Sequence, residues 1–514
     1  MTIPSAIARM IFLILTLILS FACGGTNTSL PRANSANIAY PEPNAESDLR
    51  QITGRSLLIR NVTLRLPNGS ARDNMDIKVE LGKITEIGQG LAKGELPELY
   101  ANGLIAMPGL ITSHVHLQSV PGSILRHDSL DDIHAQQALQ LRAYLACGFT
   151  SVLDPAIGAS TIRRLRKYVE ITNAGPEIFV LAPFLTPSDG YMTTKEMRGV
   201  AFRDFWPPVT ETTDLEAMMR SAQDFQAVGT KVAIEDGVVF PNLPLFSDDM
   251  MVRSRDASKA TRTKLFVHSM TNKEHRLALE LDPFALVHIG LWDEAIADDV
   301  LAKIKKDNVY VITTAALQKI SNWGWHPNFS TDDWMRARVP SIQWEGALHS
   351  DSAQQLSALT SEIMRPVYVP GFLARMTSSW FIPSPEEAAI ASRSSAMAIK
   401  TLSEHNVPWV VGADEGNSPA YTTFFHGVSS QIELEVLEEV GIPTSDIIAA
   451  ATTVPAKMLG VSERLGSIEV GKQADLILLT EDPYEVGVRA FRSLKWTVAR
   501  GEARTPSAWL KRQR

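Results

Sequence analysis

Short apolar runs, each ending at a turn signal, recur through the middle of the chain and are separated by amphipathic stretches of helical length. The runs at 150–153, 178–182, 230–234, 264–268, 284–288, 309–313 and 408–412 read as strands, in the pattern of a parallel sheet with helices outside. A further run ending at His116 makes eight. Between them, 130–147 stopped by Gly148, 214–227 stopped by Gly229, and 292–306 carry helical periodicity with bounded ends. Eight strand-helix units in succession predict an α/β fold, a (β/α)8 TIM barrel, whose active site belongs at the C-terminal ends of the strands.

The flanks follow another pattern. At the front, 57–66 reads as a strand. In 76–81, Ile77, Val79 and Leu81 alternate with polar residues, and Gly82-Lys83 turns the chain into 84–87, which predicts a hairpin. Helices are expected at 422–440 and 445–459, and beyond them strands return at 466–479 and 494–498. Strands at both ends of the chain imply one small β-sandwich domain built from 55–106 and 461–514, around a barrel at 107–460. The barrel has an insertion at 315–384, far longer than an ordinary connection.

Before residue 55 neither pattern holds. Residues 1–22 have Arg9, an apolar run over 10–19 and a small-residue exit, the layout of a signal peptide, and the apolar run is too short for a membrane span, which takes about 20 apolar residues. Cys23 after Ala22 is similar to the lipidated cysteine of bacterial lipoproteins, although Ser20 stands where a leucine is usual. Residues 23–54 are rich in Asn, Ser, Pro and Thr and predict a flexible tether. The expected location is therefore the periplasm or a lipid anchor in the outer membrane, with secretion as the alternative. With Cys23 used in this way only Cys147 remains, so no intrachain disulfide is expected. A hydrophobic content of 45% supplies a large core, and a net charge of −8 argues against nucleic acid as a partner.

Candidate chemistry collects where the predicted strands end. Side chains two apart on a strand share a face, so His114 and His116 point the same way and form a natural half of a metal site. His268, His288 and Asp414 also sit where an apolar run meets a turn, which supplies three more potential ligands. Among the other histidines, His134, His275 and His405 fall on predicted helices, where solvated or capping roles are expected. His326, His349 and His426 lie in stretches without a clear pattern.

Taken together, Pro108-Gly109-Leu110-Ile111 leading into His114-Val-His116, the lone His268 and His288, Asp414, Gly466-Ser-Ile-Glu-Val-Gly471 and Ala474-Asp475-Leu476 resemble the amidohydrolase superfamily. The order of these motifs is most similar to the imidazolonepropionase-like and Xaa-Pro dipeptidase-like branch. The resemblance implies a metal-dependent hydrolase that cleaves a carbon-nitrogen bond (amide, peptide or cyclic amide) with a metal-activated hydroxide. It also implies a carboxylated lysine on the fourth strand, and Lys231 occupies that position. His114, His116 and Asp414 would then hold one divalent ion and His268 and His288 a second. The Lys231 carbamate would bridge the two, and Asp414 would double as the proton acceptor. Imidazole and carboxylate donors suit two Zn(2+) ions, with manganese or iron as alternatives. Burial lowers a lysine's pKa and yields the neutral amine that takes up carbon dioxide. The competing reading pairs its ammonium with Asp414 or lets it reach solvent.

A lactone or phosphotriester hydrolase on the same centre, or an exported binding lipoprotein without catalysis, are the other functional readings. The expected partner is a small-molecule substrate, with membrane contact only through a lipid anchor and a homo-oligomer left open. His127, in the loop after the first strand, and Tyr191 and Arg198, after the third, are candidate substrate contacts because barrel loops vary the chemistry. The long insertion holds five of the ten tryptophans, Trp323, Trp325, Trp334, Trp344 and Trp380, which would either line a pocket or form the core of a lid.

Overall fold

The structure, a computed structural model, describes residues 34, 50–66, 68–192, 206–236, 243–290, 295–321, 331–350, 354–355 and 385–511. Cys23, the expected leader, Arg198, Trp323, Trp325, Trp380 and His326 lie outside these residues.

Eight parallel strands form the central sheet: Leu110–Thr112, Phe149–Asp154, Glu177–Leu185, Gly229–Ala233, Leu265–His268, Ala285–Val287, Tyr310–Ile312 and Trp409–Val410, each paired with the next in chain order. Just past their ends the first and last meet. Ser113 N–H donates to Val411 O (2.7 Å), Asp414 N–H to His114 O (3.0 Å) and His116 N–H to Glu415 O (2.7 Å). The ring is nearly closed, as a TIM barrel requires. Alternation along each strand separates two cores. Phe266, Ala285, Val287, Ile312 and Val410 join one cluster, whereas their neighbours Leu265, Val267, Leu286, Val311 and Val411 pack into the larger cluster that includes the surrounding helices.

Several predicted helices have different bounds, for local reasons. The first, Leu130–Ala146, is as expected: Ser129 and Asp132 form a capping box, and Gly148 follows with φ 88°. The stretch at 214–227 instead divides into Leu215–Arg220 and a 3-10 turn, Ser221–Phe225. The stretch at 445–459 divides into Thr444–Ala450 and Thr453–Met458, because Pro455 has no N–H to donate and is tolerated only in the first turn of a new helix.

The chain ends build a nine-stranded sheet. Its order is Gln51–Ile52, Glu502–Arg504, Leu494–Ala499, Leu476–Leu479, Ile105–Pro108, Leu57–Arg65, Ala71–Glu80 and Lys83–Gly88, with Glu98–Tyr100 also paired to Leu57–Arg65. Its two halves share one core, from Ile59 and Ile77 to Leu478 and Trp496. Ile84 exchanges backbone hydrogen bonds with Lys472 and Gly471, which brings the front hairpin against the returning tail. The hairpin turn lies one residue earlier than expected, at Leu81 (φ 51°) and Gly82 (φ 82°), the left-handed pair that a tight two-residue turn requires.

Only Gly109 separates this sheet from the first barrel strand. A Cβ at that position would lie 2.2 Å from Thr150 Oγ1, so the close approach of the first two barrel strands demands glycine there.

Candidate metal centre

The first barrel strand delivers its two histidines as the alternation predicts. His114 Nε2 and His116 Nε2 lie 3.2 Å apart, and Asp414 Oδ1 from the eighth strand's end lies 3.2 and 2.8 Å from them. All three are buried. Burial drives the His114 pKa down to about 3, which leaves a neutral imidazole with a lone pair to donate. Burial alone would raise Asp414, but the adjacent histidines outweigh it and hold its carboxyl well below the usual carboxylate range. Asn417 Nδ2 donates to the other oxygen, Oδ2, at 2.6 Å and so fixes the carboxylate plane.

A second pair stands beside the first. The ring of His288, from the sixth strand's end, lies 4.9 Å from the His114 ring, and its Nε2 lies 3.0 Å from His268 Nδ1. Burial also makes both of these imidazoles neutral, taking His268 to about 3 and His288 well below its ordinary value. His288 has φ 71°, so simple strand alternation no longer dictates where its side chain points. Lys231 is buried on the fourth strand, and its neighbour Val232 packs outward. Burial lowers the lysine to about 8 against the opposing pull of Asp414, Asp154 and Glu235, which brings the neutral amine within reach near physiological pH.

The residues present fit a divalent cation. Nε2 of two histidines and a carboxylate oxygen converge within 4.8 Å of one another in a buried site. Two imidazole nitrogens with a carboxylate oxygen are a donor set for a borderline metal. His268 and His288 extend that set.

The outer residues are placed unevenly. The Tyr191 ring stacks on His268, with centroids 4.6 Å apart and planes at 23°. His127 is exposed at the left-handed end (φ 52°) of the short helix Ser123–Arg126. His275, expected to be solvated or capping, is instead buried with Nδ1 2.8 Å from Ser269 Oγ, because its short helix lies against the loops at the barrel mouth. His426 is buried between Tyr144 Oη (2.9 Å) and Ser119 O (3.2 Å). Of the insertion's tryptophans, Trp344 packs on Phe425 in the core, and the Trp334 ring carries the guanidinium groups of Arg338 and Arg492 at 4.5 and 4.7 Å from its centroid.

Three further side chains, those of Glu235, Thr314 and Asp154, carry no sequence signal of their own. His268 Nε2 lies 2.7 Å from Glu235 Oε2, His288 Nδ1 lies 2.8 Å from Thr314 Oγ1, and Asp154 accepts from the backbone N–H groups of Leu117 and Ala156 beside the first strand's loop. Glu235 lies just past the end of the strand that carries Lys231 and Thr314 just past the seventh strand's end, a positional signal that applies to many residues.

The family model described as "Amidohydrolase family" matches residues 105–495, most of the chain, including His114, His116, Lys231, His268, His288 and Asp414. The chain belongs to the amidohydrolase family. Among curated relatives of this amidohydrolase, a dihydroorotase of Aquifex aeolicus is 26% identical over 255 residues, 44% of this chain and 57% of that protein. A dihydroorotase of Citrifermentans bemidjiense is 39% identical over 98 residues, 19% of this chain and 21% of that protein. The chain therefore matches less than two thirds of the length of these relatives. Among solved structures, a Xaa-Pro dipeptidase with bound methionine superposes with a TM-score of 0.63 at 18% identity, covering 87% of this chain and 98% of the other. Molinate hydrolase superposes with a TM-score of 0.61 at 18% identity, covering 88% and 95%. Both share the fold. Among the described residues no helix is long and apolar enough to cross a membrane.

Proposed function

We propose that this amidohydrolase cleaves a carbon-nitrogen bond in an amide, peptide or cyclic amide with two divalent ions, zinc as the first candidate. His114, His116 and Asp414 would hold one ion, His268 and His288 the other, and a carboxylated Lys231 would link them. The observation that carries this reading is the gathering of four buried imidazoles, an ionised Asp414 and a buried lysine of lowered pKa at the strand ends of one barrel. Its dihydroorotase relatives and Xaa-Pro dipeptidase neighbour support the bond class.

Bound divalent ions would supply Lewis acidity that makes hydroxide available at neutral pH and polarises a scissile carbonyl. The chain's own residues do the rest. Asp414 remains ionised and can accept a proton at Oδ1, while Asn417 keeps Oδ2 occupied and the carboxylate oriented. Passing that proton to the leaving nitrogen completes the acid-base cycle, a contribution of about 10²–10⁴-fold. The Tyr191 ring over His268 shields that side of the centre from water.

The test is elemental analysis of the purified protein together with a panel of N-acyl amino acids, dipeptides and cyclic amides, run beside lactones and phosphotriesters. Two ions per chain and chelator-sensitive amide turnover are expected. Turnover confined to lactones or phosphotriesters would reassign the bond, and stoichiometric metal with no turnover would favour a binding protein.

We further propose export, with Cys23 lipidated and residues 23–54 tethering the barrel to a membrane, on the strength of the apolar run over 10–19 and the Ala22-Cys23 junction. Metabolic labelling with a fatty acid that disappears in Cys23→Ala tests it. Unlabelled wild-type protein in the soluble fraction would refute the anchor.

A further inference from the structure

The two ring nitrogens of His268 are divided between different neighbours. Nδ1 faces His288 Nε2 at 3.0 Å, and Nε2 faces Glu235 Oε2 at 2.7 Å. A carboxylate oxygen at this distance accepts a ring N–H, which puts the hydrogen on Nε2 and leaves Nδ1 with its lone pair. His288 repeats the arrangement, with Nδ1 2.8 Å from Thr314 Oγ1 and Nε2 directed at His268. The inner nitrogens face each other across 3.0 Å, and where the Thr314 hydroxyl accepts from His288 Nδ1 both are left with lone pairs for an ion between them.

We propose that Glu235 is a positioning residue that holds His268 in the Nε2–H form and so presents Nδ1, rather than Nε2, to the second metal ion. The proposal rests on the two-ion reading above and adds the residue that makes the second half-site competent. Glu235 is rigidly placed for this task. Ala233 is paired with His268 across adjacent barrel strands, and Ile234 N–H donates to His268 O at 2.9 Å, which sets Glu235 one residue beyond the last rung. On its other side, the buried carboxylate of Glu274 accepts from Asp236 N–H through Oε1 (3.1 Å) and from Met270 and Thr271 N–H through Oε2 (2.8 and 3.1 Å). One side chain thus pins the loop after Glu235 to the loop after His268. Outer carboxylates of this kind fix the tautomer and orientation of ligating histidines and raise their basicity, and their loss costs about 10–100-fold in metal affinity.

Equilibrium dialysis of the full metal-depleted chain against chelator-buffered zinc tests the proposal. Wild type should bind two equivalents. Glu235→Ala should keep the equivalent held by His114, His116 and Asp414 and weaken the other by about 10–100-fold. Glu235→Gln, whose carbonyl still accepts from Nε2–H, should recover much of the loss, and His268→Ala should serve as the benchmark for a missing second site. In ¹⁵N-histidine NMR of the zinc-loaded wild type, His268 should retain a protonated Nε2. Unchanged zinc affinity in Glu235→Ala would overturn the proposal. So would a Gln variant as impaired as the Ala variant, which would make Glu235 a direct charged ligand, or a zinc-bound Nε2. A wild type that binds one equivalent would overturn the two-ion reading with it, whereas two tight equivalents without amide turnover would count against the substrate class alone.

Discussion

Lys231 occupies the position where the physical chemistry is most demanding. Burial takes its pKa from the ordinary 10.5 to about 8. A base whose folded pKa is depressed contributes stability that is fully present above its unfolded pKa and is lost as pH falls through the folded value. In metal-free protein, stability measured against a Lys231→Met variant should therefore rise between about pH 8 and 10.5, and a difference that is flat across that window would mean that the lysine is not desolvated. With metal, Lys231→Ala should lose ions and turnover together, and a short carboxylic acid should restore part of both. An alanine variant with full activity would leave Lys231 a structural residue. At Asp414, replacement by Asn removes a ligand charge and the proton acceptor at once, so turnover should fall by at least the ~10²–10⁴-fold of acid-base transfer while the fold persists. Steady-state kinetics beside circular dichroism would check this, and near-normal turnover would place the base elsewhere.

At the scale of elements, the centre depends on how closely the first and eighth strands approach each other. A Cβ on Gly412 would lie 2.6 Å from His114 Cβ, 3.0 Å from His114 N and 2.9 Å from Ile312 Cγ2. Two of these three neighbours belong to His114, one of them in its backbone, so the strain cannot be relieved by a flexible side-chain tip. Gly412→Ala is expected to destabilise the barrel by about 1–3 kcal/mol, as overpacking does, and to weaken the first metal site more than the second. Zinc titration followed at both sites would check the asymmetry, and equal weakening would point to general loosening instead. The tight two-residue turn at Leu81 and Gly82 is the corresponding feature of the outer sheet, where a left-handed pair closes the hairpin.

At the scale of the molecule, the two chain ends do more than share a sheet. Trp509, near the C-terminus, is fully buried against Ala143, Leu145 and Ala146 of the first barrel helix, donates from Nε1 to Thr497 O at 3.3 Å, and lies under the Arg504 guanidinium. The tail thus clamps the helix that follows the first barrel strand and its two histidines, His114 and His116. Trp509→Ala should cost about 3–5 kcal/mol in urea unfolding, the usual loss for a buried aromatic, and a cost under about 1 kcal/mol would show that the tail packs only loosely. Thr497 reinforces the contact by donating its hydroxyl to Leu145 O at 2.6 Å.

What the sequence determined by itself follows from short-range periodicity. Apolar runs of strand length, spaced by helices, are enough to specify a parallel barrel. The two-residue repeat sets His114 and His116 on one face and turns Lys231 inward wherever Val232 turns outward. Helix breaks were harder to read, because Pro455 is compatible both with a kink and with a fresh start, and only packing selects between them. The metal centre's finer arrangement belongs to tertiary structure alone. Which nitrogen of His268 faces the site is set by Glu235, 33 positions away in sequence, and the direction of His288 is set by a left-handed backbone and by Thr314, 26 positions away. No local pattern encodes such partners, since a hydrogen bond between neighbouring strand ends depends on the register and closure of the whole barrel.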